Sequence, residues 1–268
     1  MNLKLNSGSP MPLLGLGVYD MHSDEAIEAV THALKTGYRL IDTASMYGNE
    51  KQVGVAVKNA GIPRNEIFIT TKVNNTQQGY DATLKAFDES LQKLDTGYID
   101  LYLLHWPLKK TRKDTWKAME RIYEEKKVKA IGVANYLQPF MHELETYANI
   151  LPAVNQVEFS PWLYLEELLN YCQERSIIMQ AYTPLARGKK FNDPRLLSVA
   201  DKHGKSPAQV IIRWNLQLGV SPIPKSSNPS RIEENFDIFD FYLDDIDMSM
   251  LKSMNENFRV VDNPMDYL

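Results

Sequence analysis

Short apolar runs rich in β-branched and aromatic residues recur along this chain, and stretches of helical periodicity separate most of them. That alternation restricts the fold more than any other feature. The runs are LLGLGVY (13–19), YRLIDTA (38–44), IFITTKV (67–73), IDLYLLHW (99–106), VKAIGVAN (128–135), AVNQVEF (153–159), IIMQAYTP (177–184) and SPIPKS (221–226). Between them lie DEAIEAVTHALKTG (24–37), YDATLKAFDESLQKLDTG (80–97), DTWKAMERIYEEKK (114–127) and SPAQVIIRWNLQLG (206–219). In these segments apolar residues return at spacings of three and four. Gly37, Gly97 and Gly219 stand where helices should end; Asp24, Asp81, Asp114 and Ser206 stand where helix starts want a cap or an acid in the first turn. Parallel neighbours need a crossover connection, usually a helix, and this alternation supplies one. Eight such units predict an α/β fold of the closed (β/α)8 TIM-barrel type rather than an open sheet. KLNSGSPMP (4–12) predicts an N-terminal β-hairpin that plugs the barrel bottom. DDIDMSMLKSMN (244–255) predicts an extra C-terminal helix, followed by an irregular tail to Leu268. No linker or shift of composition interrupts the chain, so residues 1–268 are expected to form one domain.

Bulk properties narrow the partners. A formal charge of −4 gives no general attraction to nucleic acid or to an anionic membrane, which leaves a small molecule as the expected partner. Cys172 is the only cysteine, so no intrachain disulfide and no cysteine metal cluster can form, which suits a reducing, cytoplasmic setting. The opening MNLKLNSGSPMP lacks the apolar stretch of a signal peptide. No apolar run approaches the roughly 18 residues of a membrane span. The five histidines are scattered and none sits in a metal-binding spacing, so no metal is expected.

The chemistry lies at the ends of the strands, where barrels of this type build their sites. Asp42, Lys72, His105, Asn135, Gln156, Tyr182 and Lys225 end seven of the eight runs, and Tyr47 follows in the loop ASMYGNE. Taken singly, each has a plain structural explanation: a cap for Asp42, a solvated charge for Lys72, a satisfied core imidazole for His105, packing for Tyr47. Gathered under one barrel mouth they do not, because unpaired charges there would be costly. A tyrosine with an ordinary pKa of ~10 is a reluctant acid at neutral pH. A neighbouring ammonium favours the phenolate and lowers that value, and Lys72 is the candidate for this role, held charged by Asp42. His105 can orient a carbonyl oxygen. This set suits carbonyl reduction, in which the oxygen gains negative charge as hydride reaches carbon.

The hydride source has its own signal. Gly15 and Gly17 form only GLG, without the third glycine of a Rossmann fingerprint, and read as packing or turn glycines. The anion signal comes late, in IPKSSNPSRIEENF (223–236). There Lys225, Ser226, Ser227 and Asn228 lead into a short helix opened by Pro229, with Arg231 on its first turn. A helix N-terminus flanked by hydroxyls and cations is a ready anion site, and the loops after the last two strands are the usual phosphate site of such barrels.

With those residues in view, the chain resembles the aldo-keto reductase superfamily over nearly its whole length. The matching segments are GYRLIDTASMYGNE, the lysine of ITTKV, IDLYLLHWP, IGVANY, AVNQVEFSPW, AYTPL and IPKSSNPSRIEENF. It is most similar to single-domain carbonyl reductases of the prostaglandin F synthase and diketogluconate reductase kind. The resemblance implies NADPH as cofactor, a small carbonyl compound as substrate, and a monomer. It implies Tyr47 as general acid with Asp42, Lys72 and His105 around it. Tyr182 would stack on the nicotinamide, and Asn135 and Gln156 would hold its carboxamide. The loop from Thr183 to Leu185 would touch the pyrophosphate. Lys225, Ser226, Ser227 and Arg231 would take the 2′-phosphate end, and Glu234 and Asn235 the adenine. Tyr19, Tyr47, Asn74, His105 and Trp106 would line the substrate pocket. Three positions depart from the usual pattern: Ala134 stands for serine, and Tyr19 and Asn74 stand for tryptophans. The pocket is therefore expected to be wetter and wider, suited to polar or bulky carbonyls. A second reading on the same barrel is a nicotinamide-binding sensor or auxiliary subunit. Tyr47 and Lys72 argue against it, since sensing needs neither.

Overall fold

The computed structural model describes residues 2–267. Strands β1 (Asn2–Lys4) and β2 (Pro10–Pro12) pair antiparallel as a hairpin. Eight parallel strands follow: β3 (Leu16–Gly17), β4 (Leu40–Asp42), β5 (Phe68–Val73), β6 (Ile99–Leu104), β7 (Val128–Ala134), β8 (Val154–Glu158), β9 (Ile178–Tyr182) and β10 (Ser221–Ile223). They are hydrogen-bonded in sequence order. The ring closes between its ends, where Gly17 bridges Lys225 in parallel. There the Gly15 and Gly17 amides donate to the Pro222 and Pro224 carbonyls at 3.1 and 3.2 Å. Gly17 is required at this seam by space: a Cβ there would lie 2.9 Å from the Ile223 carbonyl oxygen. The barrel, its hairpin and its extra helix thus follow the sequence pattern, although β3 is only two residues long.

Among the described residues ten helices cover the barrel and its C-terminal flank: α1 (Ser23–Thr36), α2 (Glu50–Asn59), α3 (Tyr80–Leu94), α4 (Arg112–Glu124), α5 (Gln138–Glu145), α6 (Glu166–Glu174), α7 (Pro194–His203), α8 (Pro207–Gln217), α9 (Pro229–Phe236) and α10 (Asp245–Lys252). Asp24, Asp81 and Asp114 lie in first turns, and Ser206 forms a capping box with Gln209. Gly97 does not end α3 as expected. Asp95 takes the left-handed turn instead (φ 48°), a conformation its short polar side chain tolerates.

Strand periodicity explains where the site sits. Successive side chains point to opposite faces. Leu40, Phe68, Leu101, Leu103, Ala130, Val154 and Ile223 fill the barrel interior, joined from below by Leu5 and Met11 of the hairpin region. The alternate residues Ile41, Ile69, Val73, Tyr102, Leu104, Ile131 and Val133 face the helices. Two steps on from Leu40 is Asp42, and two from Leu103 is His105. Lys72 shares phase with Phe68, Gln156 with Val154, and Tyr182 with Ile178. All are therefore aimed inward at the same end. Beyond α10 the tail turns back towards that end and finishes in a 3-10 turn at Pro264–Tyr267; Leu268 lies outside the described residues.

Gly54, in the middle of α2, faces the end of α3, and a Cβ there would lie 2.0 Å from the Leu94 carbonyl oxygen. Alanine is the better helix former by about 1 kcal/mol, yet backbone cannot yield to it as a flexible side chain could. Gly54→Ala is expected to destabilise by about 1–3 kcal/mol, read as a lower urea midpoint at unchanged slope.

Candidate active site

The floor of the site is a buried ion pair. Lys72 Nζ donates to Asp42 Oδ1 at 2.5 Å and to the Thr43 carbonyl at 2.9 Å. The other carboxylate oxygen of Asp42 accepts from Gln156 Nε2 at 2.6 Å, and the same nitrogen donates to Gln180 Oε1 at 2.7 Å. Asp42 is 2% exposed and Lys72 0%, so each charge depends on its partner. Burial pushes the Asp42 carboxyl up and the Lys72 ammonium down from their ordinary values, and the contact between them opposes both shifts. Removing one partner alone would cost about 3–5 kcal/mol.

Tyr47 sits above this pair. It ends a 3-10 turn, Ser45–Tyr47, closed by Gly48 in the left-handed region at φ 70°. Ser45 Oγ donates to the Lys72 carbonyl at 2.9 Å, tying the turn to β5. The Tyr47 ring lies 5.2 Å from Lys72 Nζ, with the His105 ring centroid at 5.9 Å and the Tyr19 ring at 5.1 Å. The sequence pattern predicts that Lys72 lowers the phenol, and here the structure departs from expectation. The Tyr47 hydroxyl is raised well above its ordinary value, first by burial and then by the charge of Asp42. Lys72 spends its ammonium on Asp42 and Thr43, so the phenol keeps its proton.

His105 is neutral for a related reason. Burial, helped by the Lys72 charge, pulls its imidazole down to about 3. Its Nδ1 is buried with no hydrogen-bond partner among the described residues. A buried N–H without an acceptor is rarer than an unfilled acceptor, which assigns the ring proton to Nε2. The carbonyl of His105 accepts from Asn135 Nδ2 at 2.8 Å, and Asn135 Oδ1 accepts from the Tyr182 hydroxyl at 2.7 Å. Asn135 holds a left-handed backbone (φ 67°). After these bonds its amide keeps one N–H and one lone pair.

Two further regions border the mouth. In the loop after β9, Thr183, Ala186 and Arg187 all have positive φ, at 49°, 46° and 54°; a β-branched residue there is a genuine outlier. Such strain persists where surrounding structure imposes it and clusters at ligand clamps. At the start of α9, Asn228 caps the helix by accepting from the Arg231 amide, and Ser226 Oγ accepts from the Asn228 amide at 3.2 Å. Lys225 and Arg231 are exposed there, Ser227 and Glu234 are half-buried, and Asn235 is buried. On the substrate side Tyr19 is 52% exposed, and Asn74 is half-buried, accepting from the Thr76 amide. Trp106 packs against Tyr267 of the tail at 5.0 Å between centroids. The tail is pinned by Val260 N donating to Glu158 Oε1 at 2.7 Å and by Arg112 Nη1 donating to the Tyr267 carbonyl at 3.2 Å. Gln180, Glu158 and Tyr267 are partners that sequence reasoning did not single out. For Gln180 and Glu158 the signal was inward strand phase; Tyr267 had none.

Residues 13–256 match the model of the Aldo/keto reductase family. The chain belongs to that family. It is 48% identical to the glyoxal reductase of Bacillus subtilis, over 99% of this chain and 97% of that protein. Among solved structures, an aldo/keto reductase from Brucella melitensis superposes with a TM-score of 0.92 at 47% identity, covering 95% of this chain and 99% of that one. A Bombyx mori aldo-keto reductase in complex with NADP superposes with a TM-score of 0.92 at 34% identity, covering 98% and 95% of the two chains. Membership makes the strand-end cluster the candidate catalytic centre of a family of reductases. Among the described residues no helix is long and apolar enough to cross a membrane, and no group of three or more metal-binding side chains gathers.

Neutral burial of His105 has a consequence for stability. Its folded pKa of about 3 lies below the ordinary 6.5, so the unfolded chain binds the extra proton between those values. The contribution is whole above about pH 6.5 and is lost as pH falls towards 3, at up to about 1.4 kcal/mol per pH unit. His105→Gln is expected to flatten the decline of urea-measured stability between about pH 6 and 4 relative to the parent protein; parallel curves would contradict the neutral ring.

Proposed function

We propose that this chain is an NADPH-dependent oxidoreductase that reduces aldehyde or ketone carbonyls to alcohols, with Tyr47 as the general acid. The observation that carries the reading is the convergence of a protonated phenol, a neutral imidazole and a buried Lys72–Asp42 pair on one inward-facing barrel mouth. The residues present suit the cofactor. Lys225 and Arg231 are exposed cations at the start of α9, fitting a 2′-phosphate. The Thr183–Leu185 loop has the strained backbone of a clamp, and Glu234 and Asn235 lie along the same short helix. Tyr182 at the end of β9 offers a ring for stacking. Asn135 retains hydrogen-bonding capacity for a carboxamide, with Gln156 beside it. NADPH bound there would supply a hydride to the carbonyl carbon.

The protein's own groups do the remaining work. His105, through Nε2–H, aligns the carbonyl oxygen. Being uncharged, it does so without adding a second cation beside Lys72. Tyr47 donates its proton as negative charge develops on that oxygen. An alkoxide is a stronger base than a phenolate, so a phenol of raised pKa still gives up its proton at that moment. The phenolate left behind lies beside Lys72, whose ammonium then stabilises the new charge. Tyr19, Asn74 and Trp106 shape the entrance. Exposed Tyr19 and polar Asn74 favour a polar or bulky carbonyl over a compact apolar aldehyde. A sensor on the same barrel would not need the buried charge pair beneath the phenol.

Tyr47→Phe is expected to abolish nearly all NADPH oxidation at 340 nm while tryptophan quenching still reports NADPH binding; retained turnover would remove Tyr47 as the acid. Arg231→Ala should raise the Kd for NADPH at least tenfold more than that for NADH, because a guanidinium fork meets only the extra phosphate. Equal losses would place Arg231 elsewhere. In kcat/KM, a keto-sugar should surpass benzaldehyde.

A further inference from the structure

Asn49 opens α2, two residues after Tyr47, yet it does not cap the helix with its side chain. Asp193, Ser206, Asn228 and Asp244, at the starts of α7 to α10, all do. An asparagine at this position usually spends its oxygen on the first-turn amides. Here the whole carboxamide is spent elsewhere. Nδ2 donates to the Val18 carbonyl at 2.8 Å and to the Met21 carbonyl at 2.9 Å, and Oδ1 accepts from Thr43 Oγ1 at 2.6 Å. The side chain is buried at 1% exposure.

The partners sit beside the reacting groups. Val18 precedes Tyr19, whose ring meets Tyr47 edge-on at 5.1 Å. Thr43 follows Asp42, and its carbonyl accepts from Lys72 Nζ at 2.9 Å. The Val18 amide donates to the Asp42 carbonyl at 3.0 Å. One amide therefore locks three segments: the loop bearing Tyr19, the strand end bearing Asp42 and the ammonium acceptor, and the turn bearing Tyr47. We propose that Asn49 is a positioning residue for carbonyl reduction, holding the Tyr47 hydroxyl and the Tyr19 wall in register with the Lys72–Asp42 pair. This rests on the reductase reading above. Misplacement of a reacting group by about 1 Å can cost about 10²-fold in rate.

The test compares the parent with Asn49→Ser, Thr43→Val and Thr43→Ser, and with Asn215→Ala as a control. Asn215 is an equally buried asparagine on α8, bonded to the Ile211 carbonyl. Steady-state kinetics use NADPH with glyceraldehyde, benzaldehyde and phenylglyoxal, alongside NADPH binding and melting temperature. Asn49→Ser should lower kcat by about 10²-fold and Thr43→Val by about tenfold, with the Kd for NADPH within about twofold in both. Thr43→Ser, which keeps the hydroxyl, should restore kcat. Asn215→Ala should lose stability at unchanged kcat. If Asn49→Ser fails to fold, Thr43→Val decides, since it removes a single bond. Variant kcat values within twofold of the parent would overturn the role of Asn49 alone. A kcat loss in Asn215→Ala matched to its loss of stability would also overturn it. A parent that reduces none of the three carbonyls overturns this proposal and the reductase reading together.

Discussion

A charge pair sealed inside the barrel sets the terms for everything around it. Lys72 and Asp42 are buried side by side, and neither charge survives there without the other. Gln156 satisfies the second carboxylate oxygen, and Gln180 in turn engages Gln156. The Thr43 carbonyl fixes the ammonium from the other side. The result is a small polar network at the top of an otherwise apolar interior built from Leu40, Phe68, Leu101, Leu103 and Val154. Such networks are stable only when every member is satisfied, and then they are rigid.

Exclusion of water above that network, together with its charges, decides the protonation states there. His105 faces the Lys72 charge from a buried position and stays neutral. Tyr47, half-buried with its hydroxyl turned inward, faces the Asp42 charge and stays a phenol. Two titratable groups are thus pushed in opposite directions, and both are left uncharged at neutral pH. An uncharged donor pair over a fixed cation is poised for a substrate oxygen that becomes negative only during reaction.

Much of the fold was legible in the sequence. Period-two runs such as FITTKV (68–73) and IDLYLL (99–104) announce which side chains point inward, and their spacing by helical stretches announces parallel pairing. Less legible was punctuation. Asp95 rather than Gly97 ends α3, because a left-handed residue need not be glycine where a short acid tolerates it. In the site, Asp42, Lys72 and His105 could be read from strand ends. The direction in which Tyr47 titrates could not, because residue type says only that an ammonium and a carboxylate are both near. Which one dominates depends on where each points and how much water is excluded.

The sequence by itself determined the alternation of strands and helices, the inward phase of the polar strand ends, the cationic start of α9 and, through its ordered motifs, the family. These follow from local periodicity and residue chemistry, which are properties of neighbours along the chain. Tertiary structure alone decided that the tail brings Tyr267 to Trp106, that Glu158 pins that tail, and that Asn49 gives up its cap to join Val18, Met21 and Thr43. Such contacts join residues far apart in the chain. No local preference encodes them; they exist because barrel closure carries distant segments to one rim, where buried polar groups must find partners in space.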